Sequence, residues 1–227
     1  FDGEEEYMIF VYRFRVDLLE VFRQSTLMAP LYTFSYCERW LCQRIERSHK
    51  ENLTSCSITD PVYLEWEAIV AVLDGVLSRI LLVTERPSII DGLKLLEKCL
   101  IVKTDDPLVY SVLLSCISSL FVFLSMSASG NVAVNGGQLL LQVLKKIFDA
   151  IVFNLPTEDP NSVRSAAVKN LKRHAASSIV KIALKYPLLL LSTFDQIDNH
   201  IKTLCNTESS LSSMEKLLLQ ESLLIIS

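Results

Sequence analysis

Apolar side chains recur every three or four residues along most of the chain, which is the pattern of helices that bury one face. Together with proline, glycine and serine stop signals, this periodicity predicts nine helices with short connections. The predicted helices span residues 4–28, 31–48, 61–83, 88–102, 107–125, 137–153, 161–185, 187–204 and 209–227. Two segments rich in Ser, Asn or Gly, 49–60 and 126–136, are predicted to be exposed loops.

The spacing of prolines indicates how these helices are grouped. Pro61, Pro107, Pro160 and Pro187 each stand at a predicted helix start, where the missing N–H of proline costs nothing. The first two are 46 residues apart and the next interval is 53, with two helices in each. HEAT-like helical pairs repeat at about 40–47 residues. We therefore predict an all-α fold, an α-solenoid of four to five HEAT-like pairs. It would form a single segment over 1–227, truncated at both ends.

The segment 159–168 shows why such pairs would pack closely. Asp159 precedes Pro160 and can cap the free amides of a helix start. Small residues follow at helical spacing, including Ala166 and Ala167, and these let two helix backbones approach each other. This combination is common in HEAT-type repeats and favours a stacked solenoid over a catalytic domain.

Composition narrows the class of protein further. Half of the 227 residues are hydrophobic, with only 6 Gly and 7 Pro, which favours helices over a turn-rich β architecture. The net charge of −4 argues against a generally basic nucleic-acid binder but leaves room for local basic patches. No two cysteines form a CxxC pair, so we predict reduced thiols in the nucleus or cytoplasm. The six cysteines are Cys37, Cys42, Cys56, Cys99, Cys116 and Cys205.

One segment is apolar enough to raise the question of a membrane. No charged residue occurs from Pro107 to Leu144, and the stretch from Leu108 to Ala128 is long enough to cross a bilayer of about 30 Å. Six serines dilute its hydrophobicity, and a helix enclosed in a solenoid is apolar nearly all round. We predict a buried solenoid helix without membrane insertion, and a membrane protein remains the alternative.

The motifs of common catalytic sites do not occur in the sequence. His49, His174 and His200 fall on separate predicted elements, and there is no HExxH, GxSxG, GxGxxG or GKS/T sequence. The prediction is a protein that is not an enzyme and needs neither a metal nor a cofactor.

A basic stretch between residues 164 and 185 is the main candidate for binding. It contains six cations and no acidic residue. Lys169, Arg173 and Ser177 follow at i, i+4 and i+8 on one helical face. A ladder of two cations and a hydroxyl suits successive phosphates or sugar hydroxyls of a nucleic acid. A plain solvated face is the alternative. The predicted core residues of the same helix are Val168, Leu171, Ala175, Ile179 and Ile182.

Several strings resemble the exportin-5 family of karyopherins, and they keep that family's order. They cover well over half of the chain. They are FDGEEEY at the start, EWEAIVAVLDGVLSRI from Glu65, DGLKLLEKCLIVKTDDPLVYSVLLSCISSLFVF from Asp91, VRSAAVKNLKRHAASSIVKIALKYPLLLLSTFDQIDNHIKTL from Val163 and MEKLLLQESLLIIS from Met214. The resemblance implies a central segment of a Ran-GTP-dependent nuclear export receptor that carries small structured double-stranded RNAs such as microRNA precursors.

The resemblance also implies roles for particular residues. In the family, a basic inner surface cradles an RNA stem and a short 3′ overhang enters a tunnel of the middle repeats. Arg173 and Ser177 match positions near that overhang, and Lys169 stands where the family can carry an arginine. Arg15 and Arg23 match basic positions that approach the RNA.

A polar pair just before MEK completes the implied set. Ser212 and Ser213 match positions near the overhang, where the family pattern is threonine and then glutamine. Ser213 lacks the long amide of that glutamine.

The implied partners are structured RNA with a short 3′ overhang, Ran-GTP through repeats outside this fragment, RNA-binding protein cargo and nuclear-pore proteins. The implied location is the nucleus and cytoplasm, between which such receptors shuttle. One alternative stays open at this point. A HEAT-repeat scaffold or protein-cargo receptor would use Lys169 and Arg173 to meet acidic helices of a protein.

Overall fold

The protein is an all-α structure built from packed helical pairs. A computed structural model describes residues 3–48, 56–129, 136–155, 165–207 and 211–227. These residues form ten α-helices and a short 3-10 turn at Ile80–Leu82, with no β-strand among them. The helices are α1 (Glu4–Met28), α2 (Pro30–Ser48), α3 (Pro61–Leu77), α4 (Ile89–Ile101), α5 (Pro107–Ser129), α6 (Gly136–Ile151), α7 (Ala166–Lys185), α8 (Pro187–Leu191), α9 (Phe194–Thr207) and α10 (Ser213–Ile226).

The helices stack in two layers. In the first layer α1, α3, α5, α7 and α10 pack each on the next, and in the second layer α2, α4 and α6 do the same. The ring of Phe148 on α6 lies 4.3 Å from that of His200, which adds α9 to the second layer. Each repeat covers the apolar face of its neighbour, so the core runs through the whole stack. The predicted α-solenoid of four to five helical pairs is confirmed.

Neighbouring helices of the first layer run in the same direction. Arg15 and Arg23 of α1 lie beside Glu67 and Gly75 of α3, eight residues further along in both helices. Ser115 and Phe121 of α5 likewise meet His174 of α7 and Tyr186, the residue that follows α7, in the same order. Side chains on the outer faces of these helices therefore share one surface.

The Asp-Pro helix start is observed, but at a different place from the one that first suggested it. Pro107 opens α5, and the buried Asp106 carboxylate accepts hydrogen bonds from the amides of Leu108 and Val109, both at 2.9 Å. The same carboxylate accepts the amide of Cys56, which attaches the segment before α3 to the start of α5. Asp159 and Pro160, where this start was predicted, lie outside the described residues.

Helix α5 forms the centre of the core. It packs against α3, α4, α6 and α7, and buries Leu113, Cys116, Phe121 and Phe123 completely. By length and hydropathy, Pro107–Ala128 is the one helix of the described chain that could cross a membrane. Its burial by four neighbouring helices accounts for this composition, as predicted for a helix enclosed in a solenoid.

The cysteines are consistent with the predicted free thiols. None of the six forms a disulfide bond in the described part of the chain, and Cys37, Cys99 and Cys116 are buried. Burial raises the pKa of the Cys37 and Cys116 thiols to about 12, which keeps them protonated. They act as small hydrophobic residues of the core.

Several predicted boundaries were wrong. The predicted helix 61–83 ends as an α-helix at Leu77 and is followed by the 3-10 turn Ile80–Leu82, and the predicted helix 209–227 begins at Ser213. The loop 126–136 begins later than predicted, because α5 continues to Ser129 and buries Met126 and Ser127. Helix α7 begins at Ala166 rather than at residue 161. Its N-cap is Ser165, whose hydroxyl accepts the Val168 amide at 3.3 Å. Of the loop 49–60, only residues 56–60 are described, and 130–135 of the second loop lie outside the described residues as well.

Another error concerns the predicted helix 187–204, which is two helices. Helix α8 ends at Leu191 and α9 begins at Phe194. Between them, the hydroxyls of Ser192 and Thr193 donate to backbone carbonyls three residues earlier. Such local bonds compete with helix continuation, and the uniform leucine run before them contains no periodic signal for a break.

Candidate nucleic-acid interface

The outer face of α7 is basic, as the sequence predicted. Lys169 and Arg173 are exposed and Ser177 is half-buried, all on the side of the helix that faces away from the core. The five residues predicted to lie on the core side are buried: Val168, Leu171, Ala175, Ile179 and Ile182. Helix α7 is therefore held by its apolar face between α5 and α10, and its basic face points to solvent.

Two cations on this face are available to a ligand. Within the described residues, no carboxylate lies within ion-pairing distance of Lys169 or Arg173. Such cations can neutralise phosphates without first breaking an ion pair.

Not every cation of the basic stretch belongs to this face. Lys172 is fully buried, and its Nζ lies 3.5 Å from the side-chain oxygen of Asn154 at the end of α6. Arg164 lies outside the described residues. The surface contribution of the stretch comes from Lys169, Arg173 and two further lysines near the C-terminal end of α7.

Arg15 and Arg23 lie in the same layer, on α1, but both are paired. The Arg15 guanidinium is 3.5 Å from the Glu67 carboxylate, with both side chains well exposed. Arg23 is 3.4 Å from Glu20, and its aliphatic stem lies where Gly75 lets α1 approach α3. Hydrogen bonding from Gln24, assisted by Arg23, lowers the pKa of Glu20, so this carboxylate stays charged. The positive charge that α1 offers is therefore largely compensated.

Ser212 and Ser213 lie at the start of α10, the helix that packs beside α7. The Ser212 hydroxyl accepts the Glu215 amide at 3.3 Å, while the Glu215 carboxylate accepts the Ser212 amide at 2.7 Å. This capping box gives Ser212 a structural role. Ser213 is exposed and is the first residue of the helix.

A groove that the sequence did not predict runs beside α7. It lies between α3, α5 and α7 and has a volume of about 370 Å³. On the α7 side it is lined by His174, Ser178, Lys181 and Lys185, which repeat at helical spacing. This row lies roughly 120° around the helix from Lys169 and Arg173. The repeat at i, i+4, i+7 and i+11 was the one sequence signal that could have indicated it.

Two hydrogen bonds tie the walls of this groove together. His174 Nε2 is 3.0 Å from the Ser115 hydroxyl, and the Ser119 hydroxyl donates to Asp74 Oδ1 at 3.1 Å. Burial, assisted by the charge of Lys181, lowers the pKa of His174, so its ring is neutral at physiological pH. Asp74 contacts Ser119 rather than His174, so these groups do not form a nucleophile–base–carboxylate chain. The groove offers binding groups rather than a hydrolytic site.

The second layer carries a basic groove of its own. It lies between α4 and α6, has a volume of about 810 Å³, and contains more lysines than acids. Its cations are Lys94, Lys98, Lys103, Lys145 and Lys146. Several of them are engaged within the protein: Lys146 donates to the Val102 carbonyl at 2.6 Å and Lys98 to the Cys42 sulfur at 3.2 Å. This groove provides an internal comparison for the face of α7.

Comparison with known proteins decides the family. The sequence profile of the Exportin-5 family matches residues 1–227. This chain belongs to the exportin-5 family. It is 32% identical over 241 residues to Exportin-5 of Homo sapiens, and equally to Exportin-5 of Mus musculus. Each alignment covers 100% of this chain, which extends the family match beyond the strings that first suggested it.

The chain spans about a fifth of the length of these relatives, 19% in both cases. The exportin-5 match thus covers one segment of these longer relatives.

Proposed function

We propose that this chain is an RNA-binding segment of a nuclear export receptor that carries small structured double-stranded RNAs. Membership of the exportin-5 family supports the transport role. The observation that carries the RNA-binding role is the outer face of α7, where Lys169 and Arg173 point to solvent without a carboxylate partner among the described residues.

The chemistry of this face suits the RNA backbone. Lysine and arginine neutralise phosphates and release counterions, which gives binding that depends on salt and shape rather than on base sequence. Ser177 adds a hydroxyl one turn from Arg173, within reach of a ribose or phosphate oxygen. Arg15, Arg23, Ser212 and Ser213 lie in the same layer and would extend the contact to either side.

The remaining partners belong to the same proposal. Ran-GTP would bind repeats outside this segment, and RNA-binding protein cargo and nuclear-pore proteins would bind the full receptor as it moves between nucleus and cytoplasm. None of these partners requires catalytic chemistry or a cofactor from this chain.

A titration with a short RNA hairpin tests the proposal. Electrophoretic mobility or fluorescence anisotropy would compare hairpins with and without a 3′ overhang at two salt concentrations. We expect tighter binding of the overhang form and a marked loss of affinity at the higher salt. If the protein binds an acidic helical peptide and has no affinity for the hairpins, it is a protein-binding scaffold instead.

A matched pair of charge reversals locates the contact. Arg173→Glu should weaken hairpin binding about tenfold or more and reduce the slope of log K against log salt by about 1, because a phosphate contact is lost. Lys145→Glu makes the same type of change on the exposed side of α6, in the basic groove of the second layer. It should leave affinity nearly unchanged. If Lys145→Glu causes the loss and Arg173→Glu does not, RNA binds the second layer and the assignment to α7 is wrong.

A further inference from the structure

The groove between α3, α5 and α7 has opposite charges on its two walls. The Asp74 carboxylate lines the α3 wall and the Lys181 ammonium group the α7 wall. No ion pair joins them, since they lie more than 4.0 Å apart. Among the described residues, only one side-chain oxygen of Asp74 is engaged, by Ser119. A ligand between the walls would meet an acceptor on one side and a cation on the other.

Two residues that line the groove, Ser118 and Tyr186, carry buried hydroxyls. The Ser118 hydroxyl and the Tyr186 hydroxyl are both buried, and neither has a hydrogen-bond partner among the described residues. Tyr186 is more than nine-tenths buried, and burial raises its pKa to about 12, so its phenol remains a hydrogen-bond donor. Both oxygens expose almost no surface, so a ligand in the groove contacts the charged groups of the two walls rather than these hydroxyls.

Apolar side chains complete the lining. Val70, Ala71, Leu77 and Ile182 lie among the polar groups, and the Lys185 ammonium group is 5.4 Å from the centre of the Tyr186 ring. The volume of about 370 Å³ is at the lower end of the range of sites that hold one small ligand. The site therefore suits a compact molecule with an anion, hydroxyl groups and an apolar face.

We propose that this groove binds one unpaired ribonucleotide of the RNA strand that lies along α7, and that Asp74 recognises its ribose. This inference rests on the proposed RNA-binding function. Lys181 neutralises the phosphate, the free oxygen of Asp74 accepts the 2′-hydroxyl, and the apolar lining contacts the base. Since only RNA carries a 2′-hydroxyl, Asp74 lets the protein distinguish RNA from DNA at this position.

A carboxylate in a groove for nucleic acid requires a ligand group other than phosphate to contact it. Asp74 repels a bare phosphate, so a groove built only for phosphate would be better without it. A ribose hydroxyl placed against the carboxylate turns this repulsion into a charge-assisted hydrogen bond. The position of the acid opposite the lysine thus fits a phosphate–ribose unit better than an isolated anion.

The test uses one hairpin in two versions, which differ only at the sugars of the 3′ overhang, ribose or 2′-deoxyribose. With the unmodified protein, the deoxy version should bind about tenfold more weakly, because a hydrogen bond to a charged acceptor is lost. Asp74→Asn should reduce this ratio to about twofold or less, and it should not weaken binding of the deoxy hairpin, because it removes a carboxylate that repels phosphate. Lys181→Gln should weaken both versions. Asp91→Asn is the control, since it makes an equal charge change at an exposed side chain of α4, and it should retain the tenfold ratio.

The outcomes separate this inference from the function on which it rests. If hairpins bind and Arg173→Glu weakens them, but the two sugars bind equally, the ribose site is wrong and the RNA-binding face stands. If no hairpin binds through α7, both are wrong. A free 5′-ribonucleotide provides the last arm. Saturable binding of it that Asp74→Asn abolishes, with no effect on hairpin affinity, would assign the groove to free nucleotides and overturn its role in holding an RNA strand.

Discussion

Gly92 is the position where the packing of the two layers is most easily disturbed. It lies on α4, buried against α5, and a Cβ added there would lie closer than 3.0 Å to Cγ and Cδ1 of the Phe123 ring. Carbon atoms that are not bonded prefer separations of about 3.5–4.0 Å. The ring has no space into which it can move, since Phe123 is fully buried and packs on Phe34 at 5.3 Å between ring centres. Gly92→Ala must therefore push α4 away from α5 or force Phe123 into a strained rotamer.

The size of the effect follows from two opposing terms. Overpacking of a core usually costs about 1–3 kcal/mol, and an overlap this large belongs at the upper end. Alanine in a helix interior is favoured over glycine by about 1 kcal/mol. We expect a net loss of about 2 kcal/mol, which lowers the melting temperature of a chain of this size by about 4–8 °C. Thermal and urea unfolding followed by circular dichroism would measure both quantities.

Gly75→Ala is the matched control. Gly75 is also buried inside a helix of the stack, but its added Cβ would lie 3.7 Å from Arg23 Cγ, an ordinary contact. The propensity term then acts alone, and this variant should be stabilised by about 0.5–1 kcal/mol. A second check is the double variant of Gly92→Ala with Phe123→Leu, which should be less destabilised than the sum of the two single changes. Equal stability of Gly92→Ala and the unmodified protein would refute the packing argument.

Three further perturbations test the polar structure. In urea unfolding, Glu65→Gln should destabilise the fold by about 3 kcal/mol, because it removes the charge that faces buried Arg44. Glu67→Gln breaks only an exposed ion pair and should cost less than about 1 kcal/mol. Similar losses of stability in the two variants would contradict this reasoning. Asp106→Ala should lower the free energy of unfolding by about 2 kcal/mol, since it removes the N-cap of α5 and leaves buried amides unpaired. A change below about 0.5 kcal/mol would mean that water replaces the carboxylate. The pKa of His174 is lowered by burial, so its contribution to stability is fully present above its unfolded value near 6.5 and is lost as pH falls through the lower folded value. Urea unfolding at about pH 7.5 and 5.5 should show this loss, and His174→Gln should show less of it; an identical pH dependence would exclude His174 as the cause.

Acid should also weaken the α2–α3 contact. Partial burial acts to raise the pKa of Glu65, but hydrogen bonds from Trp40, Arg44 and Arg47 outweigh it, and the pKa is lowered below its usual 4.5. The charged form therefore stabilises the fold above that value, and its contribution is lost as pH falls through the lowered folded pKa.

The sequence predicted the fold well because each helix carries its own boundary signals. Pro61 and Pro107 stand at the first helical position of α3 and α5, as predicted. The amphipathic spacing of α7 separated its buried residues from its exposed cations. The errors occur where tertiary contacts or local hydrogen bonds of hydroxyl groups determine where a helix ends. Burial of Met126 keeps α5 helical beyond its predicted end, and Ser192 and Thr193 break a run of leucines that has no periodic break.

The candidate site was only partly predictable for a different reason. Lys169, Arg173 and Ser177 belong to one helix, so 100° periodicity is enough to group them. The groove is formed by Asp74 from α3, Ser118 from α5 and Lys181 from α7, residues more than 40 positions apart from one element to the next. Their proximity depends on how neighbouring repeats stack, which local patterns do not contain. The same limit applies to Lys172. The sequence pattern predicts an exposed lysine there, but the packing of α6 against α7 buries it.

The charges of the first layer explain how an acidic chain can present a basic binding face. The chain carries 26 acidic and 22 basic residues, so the attraction to RNA that we propose depends on how they are distributed. On α1 the arginines face Glu67 and Glu20, and a phosphate would have to displace a carboxylate before it gained a contact. On α7 the stretch from 164 to 185 contains no acid, and the nearest acid of the groove, Asp74, lies where a ribose hydroxyl can use it. Uncompensated positive charge is therefore greater on α7 than on α1. In the complex with RNA that we propose, phosphates would be held more strongly at α7 than at α1.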